Sequence, residues 1–181
     1  MDYKNRIKGA RSRRTGELWE KGLDAIFSRI AARGNAFIQK TPEPMKVLAS
    51  SRDGHIFPAV FTAKAQPDYT GTLAGGRSVM IEAKSTQGDR ITSDRIQPVQ
   101  ANTLDAHHQL GAVCGVLVSI NFETYGYIPW QDWQQLKAKT GHKYVNAADL
   151  RANGWELPGN DISAALAERL ITEANRKEGT A

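Results

Sequence analysis

Pro67-Asp68-Tyr69-Thr70-Gly71-Thr72-Leu73-Ala74-Gly75-Gly76-Arg77-Ser78-Val79-Met80-Ile81-Glu82-Ala83-Lys84 is the stretch from which the rest of the chain is read. The apolar, partly β-branched run Val79 to Ala83 follows Gly75-Gly76, which predicts two short strands joined by a glycine turn. Side chains alternate along a strand, so Glu82 and Lys84 point one way while Ile81 and Ala83 point into the core. Asp68, on the partner strand, can reach the same spot. Two carboxylates so close together resist joint ionisation unless a divalent cation neutralises them. Oxygen-only ligands call for a hard ion such as Mg²⁺ or Mn²⁺, which keeps its waters and completes its shell with substrate phosphate. The chemistry this predicts is phosphodiester hydrolysis. Asp68 and Glu82 hold the metal, and Lys84 orients or deprotonates the attacking water and screens charge developing on the phosphate. The competing reading of the same residues is an ordinary hairpin carrying a solvated Glu82–Lys84 surface pair.

The chain has 181 residues with 40% hydrophobic content, enough for one domain with a proper core. It has no apolar run long enough to cross a bilayer, and its basic, polar N-terminus lacks the apolar stretch of a signal peptide. A cytoplasmic protein is expected. The single cysteine, Cys114, lies in the apolar run Ala112 to Ile120, so it reads as a buried thiol, and neither a disulfide nor a Cys/His zinc site can form. Positions 1–14 hold six basic residues, among them Arg11, Arg13 and Arg14, against Asp2, which leaves +5 there and a neutral remainder. A short, flexible basic arm on a neutral body suits contact with a phosphate backbone, and the alternative is a solubilising tail.

From about Thr15 to Arg33, Trp19, Leu23, Ile26, Phe27 and Ile30 recur at helical spacing, and Gly34 ends the helix. Glu17 would then sit in the first turn, where the helix dipole favours an acid; it could also be a third carboxylate for the metal, with Glu20, one turn away, as the alternative. Residues 35–40 read as a strand cut off by Thr41-Pro42-Glu43-Pro44. Residues 45–50 and 55–61 read as a protruding hairpin around Ser51-Arg52-Asp53-Gly54. Pro98 and Gly111 bracket a helix with Gln100 in its first turn. Ala112 to Ile120 reads as a buried central strand, Thr124 to Pro129 as its neighbour, Trp130 to Lys139 and Ala147 to Ala152 as short helices, and Ile162 to Arg176 as a final amphipathic helix before a frayed end at 177–181. Trp130 and Trp133 are expected to be packing anchors.

The Pro67-Asp68 pair followed by Glu82-Ala83-Lys84 resembles the signature of the restriction-endonuclease-like nuclease superfamily. More specifically, the chain from about Arg13 to Trp130 resembles the RecU-type Holliday junction resolvases. The resemblance rests on Gly16-Glu17, Ala36 to Pro44, Asp68-Tyr69-Thr70-Gly71, Ile81 to Thr86 and Ile96-Gln97-Pro98-Val99-Gln100. It implies an α/β fold with a restriction-endonuclease-like core, a central mixed β-sheet flanked by helices and a protruding β-hairpin arm, the stalk, at about 41–65. It also implies a homodimeric, Mg²⁺-dependent endonuclease, with Mn²⁺ as substitute, that cuts two opposed strands of branched double-stranded DNA and has no membrane role. The active site would map onto Glu17, Asp68, Glu82, Lys84 and Gln100. The expected metal ligands are Asp68, Glu82, Ala83 and Glu17, and Lys40 joins Arg11, Arg13 and Arg14 in contacting DNA. Pro67 stands where the family usually has a hydroxyl residue, and Val99 where a histidine is usual. Two readings compete: a restriction- or repair-type nuclease on the same fold, and a catalytically idle DNA-binding accessory protein.

Overall fold

The computed structural model describes residues 3–42, 45–47, 59–61 and 66–178. Helix α1 (Tyr3–Ala32) leads into β1 (Ala36–Lys40); β2 (Met45–Val47) and β3 (Ala59–Phe61) follow, then the hairpin β4 (Tyr69–Leu73) and β5 (Ser78–Thr86). Next come β6 (Arg90–Thr92), a 3₁₀ turn at Ser93–Arg95, α2 (Pro98–Gln109), β7 (Val113–Ile120) and β8 (Thr124–Pro129). The chain continues through α3 (Trp130–Gln134), α4 (Leu136–Thr140), β9 (Tyr144–Asn146), α5 (Ala147–Ala152), β10 (Glu156–Leu157) and α6 (Ile162–Glu178).

Six strands form one mixed sheet in the order β1-β4-β5-β7-β8-β10, parallel between β5 and β7 and antiparallel at every other pairing. The predicted glycine turn joins β4 to β5, with Gly75 and Gly76 at φ of 94° and 91°, a region that is strained for side-chain-bearing residues. β7 is buried at all eight positions because both sheet faces are covered. Val113 and Leu117 meet α1 and α6 through Trp19, Leu23, Phe27, Ile30, Leu166 and Leu170. Cys114, Val116 and Val118 share the opposite layer with Leu104 of α2, Trp130, Trp133, Leu136 and Trp155. Each fully buried Leu or Ile in these layers contributes about 1.5–3 kcal/mol. The fold is therefore the expected α/β core, a mixed sheet flanked by helices. Trp130 and Trp133 do pack in it, both less than 5% exposed.

Some expectations need correction. The first helix begins at Tyr3, so positions 3–14 continue it instead of forming an arm ahead of it. Lys and Arg, straight-chain residues that lose little rotamer freedom in a helix, fill six of those twelve positions, and extending a nucleated helix adds one backbone bond per residue fixed. Glu17 consequently lies in mid-helix, away from the first-turn dipole. The single helix expected at Trp130–Lys139 is two, broken at Gln135, where ψ swings to 17°. β2 and β3 pair antiparallel as the expected hairpin would, in a sheet of their own with Met45 opposite Phe61, while positions 43–44, 48–58 and 62–65 of the expected stalk lie outside the described residues. Among the described residues no helix is long and apolar enough to cross a membrane.

β4 owes its seat against β1 to Gly71, which faces Ile38 in register. A Cβ there would overlap the Phe37 carbonyl oxygen and the Ile38 backbone. Gly71→Ala is expected to lower stability by about 1–3 kcal/mol in urea denaturation. A loss below about 0.5 kcal/mol, the scale of a neutral surface change, would contradict the close approach.

Candidate active site

The β4–β5 register pairs Tyr69 with Ile81, so one step beyond that pair Asp68 comes level with Glu82. Tyr69 and Ile81 point into the layer beneath α1, which turns Asp68, Glu82 and Lys84 toward the other face. Glu82 is fully buried. Its Oε1 accepts from the Lys84 ammonium and, at 2.6 Å, from the Gln100 amide. The Gln100 carbonyl oxygen accepts the backbone N–H of Gln97 at 3.1 Å, the cap of α2, and this leaves its NH₂ group to face Glu82. Asp68 Oδ2 accepts the Ala83 backbone N–H at 2.9 Å. Glu82 Oε2 is buried, and while both carboxyls are ionised it has no hydrogen-bond donor, its Asp68 neighbour being an acceptor too.

Burial raises the Glu82 pKa first and the Asp68 charge raises it further, while Lys84 pulls it down; the result is about 7 against an ordinary 4.5. Tyr69 is also pushed up, by burial and then by Asp24, Glu20 and Asp68, so its phenol stays neutral near pH 7.

A cleft of about 590 Å³ opens beside these groups, lined among others by Glu20, Lys40, Asp68, Lys84 and Arg95. Lys40, at the end of β1, pairs with Glu20 at 2.7 Å. Glu17 is exposed and does not line the cleft. Gly16 and Glu20, four residues apart, share the helix stripe that does, and Glu17 is turned about 100° from Gly16. The structure thus brings together Asp68, Glu82, Ala83, Lys84, Gln100 and Lys40, leaves Glu17 outside and puts Glu20 in its place. Arg11, Arg13 and Arg14 lie along the N-terminal part of α1. Sequence reading passed over Arg95, one of two arginines between β5 and α2, with no spacing rule to mark it.

The donor set fits a hard divalent cation. A buried carboxylate oxygen without a partner costs the full desolvation of that group, and its level neighbour Asp68 repels a second negative charge. One Mg²⁺ removes both costs, and two carboxylates suffice because the ion keeps several waters. Among the described residues no group of three His, Cys, Asp or Glu side chains is placed to hold a metal ion, and Asp68 and Glu82 are the two carboxylates that come level here.

The family model described as RecU, Recombination protein U, matches residues 14–165. The chain belongs to the RecU family of Holliday junction resolvases. The RecU match takes in Lys40, Asp68, Glu82, Lys84 and Gln100. No curated protein matches the chain. Among solved structures it is similar to Hjc of Archaeoglobus fulgidus, a Holliday junction resolvase from an archaeal hyperthermophile, at 11% identity and a TM-score of 0.47, over 82% of this chain and 95% of that one.

A carboxyl whose folded pKa exceeds its unfolded value favours the fold in its protonated form. Its contribution is complete below about pH 4.5 and is lost as pH rises to about 7. In EDTA, the stability of the wild type relative to Glu82→Gln should fall between those limits by on the order of 3 kcal/mol. Denaturation curves of both proteins across that range check it, and a pH-independent difference would show that Glu82 is not held neutral by its surroundings.

Proposed function

We propose that the chain is a Mg²⁺-dependent, structure-selective endodeoxyribonuclease that resolves four-way DNA junctions by paired, symmetric phosphodiester cuts, with Mn²⁺ able to replace Mg²⁺. The observation that carries the reading is the buried Glu82 carboxylate level with Asp68, its Oε1 held by Lys84 and its Oε2 without a donor. Membership of the RecU family supports the choice of substrate.

Asp68, Glu82 and Ala83 would hold the ion. When bound, it supplies positive charge against the two carboxylates and against the negative charge that gathers on the phosphate in the transition state. Glu82 holds the Lys84 ammonium by a charge-assisted hydrogen bond, and the Lys84 side chain is only 13% exposed. Lys84 orients the attacking water and stabilises the developing charge where little bulk water competes. Gln100 fixes the Glu82 carboxylate from the α2 side, so the loop and helix that follow β5 keep the site in register. Lys40 contacts phosphate from β1, and Arg11, Arg13 and Arg14 extend the contact along α1. Two matched cuts in a junction with near two-fold symmetry require two equivalent sites, which a homodimer provides.

With Mg²⁺ the protein is expected to cut opposed strands of a four-way junction and to leave linear duplex intact. Asp68→Ala should lower cleavage by at least about a hundredfold while leaving junction binding within a few-fold. Equal cutting of linear duplex would favour a restriction- or repair-type nuclease. Tight junction binding by a wild type that cuts nothing with Mg²⁺ or Mn²⁺ would overturn the nuclease reading.

Replacing Arg11, Arg13 and Arg14 together by Gln should flatten the dependence of log affinity on log salt by about two to three units, since each phosphate contact contributes about 0.9. An unchanged slope in a binding titration would remove α1 from the DNA interface.

A further inference from the structure

We infer that Arg95 is a DNA-contacting residue of this site, its guanidinium binding a phosphodiester of the strand being cut. The inference rests on the nuclease reading above and adds a group which neither the sequence motif nor the RecU match singles out.

Arg95 lines the same cleft as Asp68 and Lys84. Among the described residues three cations line that cleft, and two of them face a carboxylate: Lys40 pairs with Glu20 and Lys84 with Glu82. Among the described residues Arg95 forms no ion pair. Its recorded bond is a long one, 3.3 Å, from one guanidinium nitrogen to the backbone oxygen of Ser85, the residue after Lys84. The neighbouring acid, Asp94, accepts from the Thr92 hydroxyl. An exposed guanidinium has five donors in a planar fork matched to a phosphate, so a single carbonyl contact leaves most of its capacity unused.

The segment that carries Arg95 is fixed. Ile91 and Ile96, on either side of it, are both buried, at 0% and 7% exposure. Between them the Ser93 N–H donates to the Lys143 carbonyl at 2.9 Å, and the Ile96 N–H turns back onto Ser93. Four residues further on, Gln100 is bonded to Glu82. A cation on such a segment binds a phosphate without the entropy cost of ordering a loop. Sheet order sets its side of approach. β1, with Lys40, lies beyond β4 on one flank of β5, whereas β6, which leads into Arg95, packs on β5 and β7 at the other. Lys40 and Arg95 therefore face the cleft from opposite sides of the strand that carries Glu82 and Lys84. A DNA strand laid over that strand meets one cation before the reacting phosphate and one after it.

The test uses the full-length protein and four-way junctions carrying one methylphosphonate, a neutral phosphate replacement, at successive positions around the cut. On an unmodified junction with Mg²⁺, Arg95→Ala should slow single-turnover cleavage about tenfold or more, and Arg95→Lys, which keeps charge without the fork, should fall between the two. At one methylphosphonate position the wild type should slow to the rate of Arg95→Ala, with no further loss in the variant, since the contact is already gone. The salt slope of junction binding in Ca²⁺ should fall by about one unit in Arg95→Ala and stay unchanged in Arg169→Ala, an equal loss of charge on α6. Cleavage by Arg95→Ala within twofold of wild type, or an equal penalty at every methylphosphonate position, would overturn the inference. A wild type that cuts no junction would instead sink the nuclease reading, and Arg95 would then stand or fall on the salt slope alone.

Discussion

A carboxylate with no exposed surface, held from one side by an ammonium and an amide and open on the other to a second carboxylate, is the interaction on which the rest of this structure depends. Left alone, the arrangement is unfavourable: burial and the Asp68 charge push Glu82 toward its neutral form near pH 7. The fold tolerates this cost because Glu82 sits on β5, paired on both sides and covered by helices, where backbone hydrogen bonding is complete and the register cannot slip without turning apolar side chains outward. A cost accepted at one well-ordered position, which a hard divalent cation would relieve, supports the metal-dependent nuclease reading proposed for this site.

The surrounding elements each contribute to that arrangement. Antiparallel pairing of β4 with β5 brings Asp68 level with Glu82, and Gly71 lets β1 lie close enough for Lys40 to reach the cleft. Parallel pairing of β5 with β7 requires a crossover, and that crossover contains the 3₁₀ turn and α2, which deliver Arg95 and Gln100. The cap of α2 serves chemistry as well as helix stability, because the hydrogen bond between Gln100 and the Gln97 N–H decides which end of the amide meets Glu82. On the far face α1 and α6 cover the sheet, and α1 adds Glu20 to the cleft.

Much of this was legible in the sequence where a local rule applied. Gly75-Gly76 announced the hairpin, two-residue alternation put Glu82 and Lys84 on one face, and the unbroken apolar run around Cys114 marked the strand buried on both sides. Other features had no local signal. β6 and β9 pair over three residues each, with more than fifty residues between them, and β10 has two residues, too few for any period to show. Choosing between Glu17 and Glu20 needed the rotational phase of α1, and a helix start misplaced by the basic stretch left that phase open. The break at Gln135 has no glycine or proline to mark it. Arg95 became visible only when folding set it beside groups ten or more residues away.

The most direct test of the central claim is anomalous diffraction from crystals of the protein grown with Mn²⁺. The account predicts one strong peak between the Asp68 carboxylate and Glu82 Oε2, lost in a Glu82→Gln crystal grown the same way. Mn²⁺ bound elsewhere, with Glu82 Oε2 still unpartnered, would contradict it.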